Sequence, residues 1–289
     1  MVAVQFEFHR EAKETMRIAI QGEPGSFSHE AALRIAPGAT IVPCAVSRDV
    51  FAAVTEAGAD AAVIPIENSL AGSVVEHYDL LLQHDVAIET EALLRIRHNL
   101  IGVPGARLEN ITRVYSHPVA LAQCRNFLAE HPGMAATPFY DTAGSVKHLM
   151  AEREETTAGI ASAQAAAHYG GEILAAGIED NAENFTRFFL IRPRAEVKAD
   201  LRPDKVSVAF TVENRPGTLV AALEVFAKQK TNLTRIESRP VPGRPWEYVF
   251  YADYQLSEPE TADLALELLA QYCSMVKELG RYRAAKGTV

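Results

Sequence analysis

The sequence contains little cysteine, no long hydrophobic run and no excess of basic residues. Its three cysteines, Cys44, Cys124 and Cys273, are far apart and odd in number, which excludes a disulfide framework and indicates a reducing compartment. The longest apolar runs, such as residues 61–66, are far shorter than the roughly 20 residues that a membrane-spanning helix needs. Lysine and arginine number 28 against 37 aspartates and glutamates, a formal net charge of −9. We therefore expect a cytoplasmic protein that binds neither a membrane nor nucleic acid.

Motifs for nucleotide, metal and covalent-serine chemistry are also missing. The sequence has no G-x-G-x-x-G after a strand and no G-x-x-x-x-G-K-[ST]. It has no C-x-x-C, no H-E-x-x-H and no G-x-S-x-G. These absences favour a function that uses no metal and no cofactor.

The pattern of apolar runs divides the chain into two parts. Short apolar runs alternate with amphipathic stretches over residues 16–192, which predicts two tandem α/β lobes with mostly parallel sheets and a cleft between them. Prolines and charges indicate a linker at 193–204. Residues 205–283 then follow the order β-α-β-β-α-β, which is typical of a ferredoxin-like domain. Residues 1–15 lack the apolar core of a signal peptide and are expected to form an N-terminal extension.

Small polar residues stand where predicted strands end. They are Asn68, Ser69, Ser116, Thr142 and Ser162. In open α/β sheets, ligands bind beyond the carboxyl ends of strands, against helix N-termini that favour anions. The spacing therefore predicts a polar cleft for a small carboxylate. Ser116, Thr142 and Ser162 taken singly are better explained as helix N-caps.

The segment 184–189, Asn-Phe-Thr-Arg-Phe-Phe, places two polar side chains inside a strongly apolar stretch. If it forms a strand, Arg187 could simply point to solvent. Otherwise Thr186 and Arg187 bring a hydroxyl group and a fixed cation to the cleft. His98 and His117 are interpreted as structural residues.

Six segments together resemble the prephenate dehydratase family along residues 16–283. They are Gly-Glu-Pro-Gly-Ser-Phe-Ser at 22–28, Pro-Ile-Glu-Asn-Ser at 65–69, Tyr-Ser-His-Pro at 115–118, Thr-Arg-Phe at 186–188, Asn-Arg-Pro-Gly-Thr-Leu-Val at 214–220 and Glu-Ser-Arg-Pro at 237–240. Two positions depart from the family pattern. Val119 stands where the family often has glutamine, and Thr218 stands where alanine is common.

The resemblance implies a catalytic portion with two lobes of the periplasmic-binding-protein type II, which converts prephenate to phenylpyruvate, water and CO2 without a cofactor. Thr186 is expected to act on the leaving hydroxyl, and Arg187 either pairs with a substrate carboxylate or braces the cleft. The expected substrate-binding residues are Asn68, Ser69, Ser116, Thr142, Ser162 and Phe188. Of these, Phe188 belongs to an apolar run that favours the core.

The resemblance also implies that the C-terminal part is an ACT domain, which binds L-phenylalanine as an allosteric effector in a homo-oligomer, a dimer or a tetramer. The expected effector-binding residues are Asn214, Gly217, Leu219, Val220, Glu237, Ser238, Arg239 and Pro240. Two other functions stay open. One is an arogenate dehydratase, whose substrate bears an amino group where prephenate has a keto group, and the other is a two-lobed binding module without catalysis.

Overall fold

The computed structural model describes residues 15–285 except 199, 201, 242, 257, 259 and 260. The expected N-terminal extension, residues 1–15, therefore lies outside the described residues apart from Thr15. Strands of the described part form three sheets. None of the helices in this part is long and apolar enough to cross a membrane.

The first lobe begins with alternating strands and helices. These are β1 (Arg17–Gln21), α1 (Phe27–Ile35), β2 (Thr40–Cys44), α2 (Ser47–Thr55), β3 (Ala61–Asn68), β4 (Gly72–Ser73), α3 (Val75–Gln83) and β5 (Val86–Arg95). Strand β1 pairs in parallel with β2 and β3, and β4 pairs with the end of β3. The first six residues of β3 are almost entirely buried, in agreement with their continuous apolar run.

The second lobe follows directly. Its elements are β6 (Asn99–Gly102), β7 (Arg113–Ser116), α4 (Pro118–Ala122), α5 (Arg125–Glu130), β8 (Ala135–Pro138), α6 (Thr142–Glu152), β9 (Thr157–Ala161), α7 (Ala163–Tyr169) and β10 (Glu172–Ala176). The strand order is β10-β6-β9-β7-β8. Strand β7 is parallel to β8 and β9, whereas β6 is antiparallel to its neighbours.

Strand β11 (Phe185–Pro193) then returns to the first lobe and completes its sheet in the order β2-β1-β3-β11-β5. It runs antiparallel to both β3 and β5. The expectation of mostly parallel sheets is therefore wrong in detail, because the returning strand enters between two strands that already run the other way. A register shift interrupts its pairing with β3 between Arg187 and Phe188.

The third sheet belongs to the C-terminal part. Its elements are β12 (Lys205–Thr211), α8 (Thr218–Lys228), β13 (Asn232–Pro240), β14 (Tyr248–Gln255), α9 (Thr261–Ala270) and β15 (Met275–Tyr282). All pairs are antiparallel, in the order β13-β14-β12-β15. This β-α-β-β-α-β order and the two preceding lobes confirm the predicted fold class.

One face of the third sheet carries α8 and α9, and the other packs on the first lobe. Along β12, Val206 and Val208 join the core beneath the helices, whereas Ala209 joins the core of the first lobe, as the two-residue period of a strand requires. The approach is close at Gly280, where a Cβ atom would overlap the carbonyl oxygen of Ile88 in β5. The third sheet is therefore an integral layer of the structure.

Candidate active site

A cavity of about 880 Å³ lies between the two lobes. Side chains from both lobes line it, among them Glu23, Asn68, His98, Gln123, Asp141, Thr142, Thr186 and Phe188. Of the predicted substrate and catalytic residues, the structure therefore brings Asn68, Thr142, Thr186 and Phe188 together at one cavity. Phe188 is only 1% exposed, so it contributes a surface of the core to the cavity wall.

Three helices, α1, α4 and α6, begin at this cavity, and His117, the N-cap of α4, lines it. Ser26 caps α1 and accepts a hydrogen bond from the His29 N–H at 3.3 Å, while Asp141 caps α6 and accepts from the Gly144 N–H at 2.7 Å. Thr142 is the first residue of α6 and not its cap, because the Asp141 carboxylate already occupies that position. Helix N-termini carry a partial positive charge that favours carboxylates. No lysine or arginine is among the described residues that line the cavity.

The hydroxyl group of Thr186 is held by the amide of Asn68. Backbone N–H groups of Leu70 and Ala71 donate to Asn68 Oδ1 at 3.1 and 2.8 Å, which fixes the orientation of the amide. Asn68 Nδ2 then donates to Thr186 Oγ1 at 2.9 Å and to Asn184 Oδ1 at 2.7 Å. Since the Thr186 oxygen accepts this bond, its own hydrogen is available to a group in the cavity.

The series of hydrogen bonds continues from Asn184 to Gln123, a residue that the sequence analysis missed. Asn184 Nδ2 donates to Gln123 Oε1 at 3.0 Å, and His98 Nε2 lies 2.9 Å from that oxygen. His98 must therefore carry its proton on Nε2, which leaves Nδ1 as an acceptor with no partner among the described residues. Burial lowers the pKa of His98 and keeps the ring neutral.

A weak signal for Gln123 exists in the sequence. The family often has glutamine at the position of Val119, and Gln123 follows one helical turn later. Both Val119 and Gln123 line the cavity. Residues four apart on a helix share a face, so a polar side chain from this segment can reach the cleft from either position.

Arg187 faces away from the cavity. Its guanidinium Nε, Nη1 and Nη2 donate to Glu91 at 2.6 Å, Asp253 at 2.5 Å and the Tyr282 hydroxyl at 2.9 Å. Residues adjacent on a strand point to opposite faces, so Thr186 and Arg187 cannot both reach the cleft. Of the two predicted roles, the geometry favours the brace, and it does not support contact with a substrate carboxylate.

Ser69, Ser116 and Ser162 are likewise not brought to the cavity. Each hydroxyl donates to a main-chain carbonyl, at 3.0, 2.6 and 2.6 Å respectively. Ser162 also caps α7, where it accepts from the Ala165 N–H at 3.0 Å. These side chains hold the backbone around the site. The N-cap alternative is correct for Ser162 and wrong for Ser116, because His117 caps α4.

The two carboxylates in the cavity wall differ in their partners. Glu23 accepts hydrogen bonds from Lys147 Nζ and the Tyr140 hydroxyl, both at 2.9 Å. Burial would raise the pKa of Glu23, but the bonds from Lys147 and Tyr140 offset this and lower it. Burial is the main cause that raises the pKa of Asp141, with a smaller contribution from the nearby Glu23 charge.

The predicted effector residues fall into two groups. Asn214, Gly217, Leu219 and Val220 lie just before or within the first turn of α8, and Glu237, Ser238, Arg239 and Pro240 lie on β13. Two side chains of the second group contact the first lobe. Glu237 accepts a hydrogen bond from Ser73 at 2.5 Å, and Arg239 forms an ion pair with Asp79 at 2.7 Å.

Comparisons with known proteins give one consistent family. The model of the family described as prephenate dehydratase matches residues 18–196. The Arabidopsis thaliana protein named arogenate dehydratase/prephenate dehydratase 2, chloroplastic, is 39% identical over 277 residues, which cover 92% of this chain and 72% of the relative.

Two solved structures are similar over nearly the whole chain. One is a prephenate dehydratase from Arthrobacter aurescens in complex with L-Phe, with a TM-score of 0.84 and 33% identity, covering 94% of this chain and 92% of the other. The second, described as GqqA, a novel type of quorum quenching acylase, has a TM-score of 0.84 and 34% identity, covering 93% and 98%.

The comparisons contradict one prediction and confirm another. The predicted cytoplasmic location is contradicted, because Arabidopsis relatives of this chain are named as chloroplastic. The resemblance inferred from the six sequence segments is confirmed by the family model and by relatives that align along most of the chain. The chain belongs to the prephenate dehydratase family.

Proposed function

We propose that this chain catalyses the decarboxylating dehydration of a prephenate-type substrate. The substrate is prephenate, which gives phenylpyruvate, or its amino counterpart arogenate, which gives phenylalanine, with CO2 and water as the other products. The observation that carries the proposal is the oriented hydroxyl of Thr186 at the inter-lobe cavity, where Asn68 Nδ2 donates to its oxygen at 2.9 Å. Relatives named for both substrates support the reaction class.

In this reaction the electrons of the bond to the ring carboxylate enter the ring as CO2 departs. The ring becomes aromatic, the C–O bond of the ring hydroxyl breaks, and the leaving oxygen takes a proton to form water. Thr186 is too weak an acid to supply that proton outright, so the proton comes ultimately from solvent. The role of Thr186 is to donate a preorganised hydrogen bond to the departing oxygen. Loss of such a contact costs about 3–4 kcal/mol.

The substrate carboxylates are proposed to lie against helix N-termini. The cavity wall includes the starts of α1 and α6, at Ser26 and Thr142, and its described residues include no lysine or arginine. Backbone N–H groups and the helix dipoles therefore supply the positive potential. A binding site built this way holds the anion without a mobile cation and keeps its geometry fixed before the substrate arrives.

We also propose regulation by L-phenylalanine, with a catalytic portion at 16–192, a linker at 193–204 and a regulatory ACT domain at 205–283 in a homo-oligomer. The Arthrobacter relative in complex with L-Phe supports this effector. A route to the cavity runs through β13, because Glu237 contacts Ser73 and Ser73 lines the cavity. A ligand that moves Glu237 would therefore act on the cavity wall.

The test is product formation by the purified chain from prephenate and, in parallel, from arogenate, each with and without added L-phenylalanine. Turnover that L-phenylalanine suppresses is the expected result. Turnover that ignores L-phenylalanine would retain the dehydratase and reject the effector. Binding of either substrate without turnover would instead favour the two-lobed binding module.

A further inference from the structure

Asp141 lies at a point where the two lobes meet. Its carboxylate faces the turn after β1, where Gly22 has a φ of +91°. A Cβ atom on Gly22 would lie 2.6 Å from Asp141 Oδ2, so a glycine is required on both conformational and steric grounds. Asp141 thus belongs to the second lobe but lines the cavity against the first.

The charge of Asp141 forms no ion pair among the described residues. Its neighbour Glu23 is neutralised by Lys147 at 2.9 Å, whereas the Asp141 carboxylate accepts the Gly144 N–H at 2.7 Å and interacts more weakly with the Ala143 N–H and with His117, which lines the same cavity. The carboxylate is partly buried, and burial raises its pKa more than these contacts lower it, because the ionised form is poorly solvated. A cationic group in the cavity would add the ion pair that Asp141 does not form with these residues.

A second polar group of the same cavity needs a donor. His98 is 2% exposed, its Nε2 is committed to Gln123, and its Nδ1 is an acceptor without a partner among the described residues. The cavity wall therefore has an anionic acceptor at Asp141, and a second acceptor, the buried His98 Nδ1, belongs to a residue that lines it. A ligand rich in N–H or O–H donors fits this wall better than one that presents only acceptors.

From this arrangement we propose that Asp141 receives the ammonium group of the substrate, so that the chain prefers arogenate to prephenate. The inference rests on the proposed function and names its substrate. An ammonium group offers Asp141 a charge-assisted hydrogen bond. The keto oxygen of prephenate is an acceptor at the corresponding place, so it would leave the carboxylate unpaired beside another lone pair.

The structure offers a substitution that changes the charge and little else. Asparagine is as good an N-cap as aspartate, so Asp141→Asn keeps the bond to the Gly144 N–H while it removes the negative charge. Asp141→Ser also keeps a capping oxygen and provides a second variant if the first folds poorly. Asp60→Asn is the matched control, because Asp60 is a carboxylate of the first lobe that pairs with Arg17 away from the cavity.

The experiment measures kcat/KM for arogenate and for prephenate with the unchanged chain and the three variants at one neutral pH. We expect the unchanged chain to favour arogenate. Asp141→Asn and Asp141→Ser should lower kcat/KM for arogenate about 10- to 100-fold and leave that for prephenate unchanged or higher, as the loss of a hydrogen bond between charged groups implies. Asp60→Asn should leave the ratio unchanged.

Three results would overturn the inference. Equal losses with both substrates would make Asp141 a general acid or a structural residue, and unchanged kcat/KM values for both substrates would make it a helix cap alone. In both cases the proposed dehydratase would stand, since the unchanged chain would still turn its substrates over. Turnover of neither substrate by the unchanged chain would overturn the inference and the proposed function together.

Discussion

Thr186 and Arg187 are neighbours on β11, yet their side chains belong to polar clusters of opposite character. On the cavity side, Thr186 accepts a hydrogen bond from the neutral amide of Asn68, and its hydroxyl hydrogen has no partner among the described residues. On the other side, the guanidinium of Arg187 is enclosed by Glu91 and Asp253 and is 8% exposed. The cluster around Thr186 thus keeps a hydrogen-bond donor available for a ligand. In the cluster around Arg187, the donors are all bonded to residues of the first lobe and of the C-terminal part, and these bonds hold the two parts together.

The difference shows how one strand can serve both chemistry and assembly. The cluster around Arg187, which we call the interdomain network, also includes Lys205, whose Nζ lies 3.1 Å from Glu91. Burial alone would lower the pKa of Arg187, but Tyr282, Asp253 and Glu91 raise it, so the charge persists. Charges are tolerated here because each has partners. The predictions below test whether the two sides of β11 are separable.

The largest expected effect is on stability. Arg187→Ala would leave Asp253 buried without its cationic partner and Glu91 paired with Lys205 alone, which should lower the free energy of unfolding by about 3–5 kcal/mol. Chemical denaturation of the variant and of the unchanged chain measures this. Arg244→Ala, which removes an exposed partner of Glu247, is the control and should leave the denaturation curve unchanged.

The same variant separates the two predicted roles of Arg187. If the guanidinium bound substrate, Arg187→Ala would raise KM while the denaturation midpoint stayed in place. That outcome would make Arg187 a substrate-binding residue and would show that the two sides of β11 do not have separate roles.

The next largest effect is on catalysis. Thr186→Ala should reduce kcat about 10²- to 10³-fold, because it removes a preorganised donor to the leaving oxygen, and should change KM much less. Thr186→Ser keeps the hydroxyl and is expected to retain most of the activity. Steady-state kinetics with either substrate measures both variants. Equal turnover by the alanine and serine variants would remove the hydroxyl from the mechanism.

A smaller effect follows from reversing one hydrogen bond. Asn68→Asp replaces the Nδ2 donor by an acceptor of the same shape, so the Thr186 hydroxyl should turn its hydrogen toward residue 68 and away from the cavity. We expect the activation free energy to rise by about 1–3 kcal/mol, and kcat to fall accordingly. Asn68→Ala is the comparison, because it removes the bond without reversing it and should cost less turnover. A larger loss in Asn68→Ala would contradict the argument from polarity.

The sequence predicted the parts of this site that local pattern determines. Thr186 and Asn68 stand at strand ends within short motifs, and both line the cavity. Asp141 and Thr142 are adjacent residues of types that commonly cap helices, so the pattern could not decide that Asp141 caps α6 and Thr142 does not. The three predicted serines, at 69, 116 and 162, bond to backbone, and a motif alone does not tell such a bond from a ligand contact.

The parts that the sequence did not predict depend on distant residues. Arg187 contacts Glu91, Asp253 and Tyr282, which are 96, 66 and 95 positions away along the chain. Only the packing of the third sheet on the first lobe brings these partners together. Gln123 was missed for the same reason, because its role in the site depends on hydrogen bonds to His98 and Asn184, which are distant in the sequence.

The smallest expected effect is a pH dependence on the cavity side. The pKa of buried His98 is lowered in the folded chain, so below about pH 6.5, the value for a free imidazole, the unfolded chain binds a proton that the folded chain does not. Stability from this group is therefore complete above that pH and is lost as the pH falls toward the folded pKa. His98→Gln should reduce the slope of unfolding free energy against pH between 7.5 and 5.5, whereas His148→Gln, away from the amide network, should not. Equal slopes in all three chains would mean that folding does not lower the pKa of His98, and this would remove the support for a neutral ring that donates from Nε2 to Gln123.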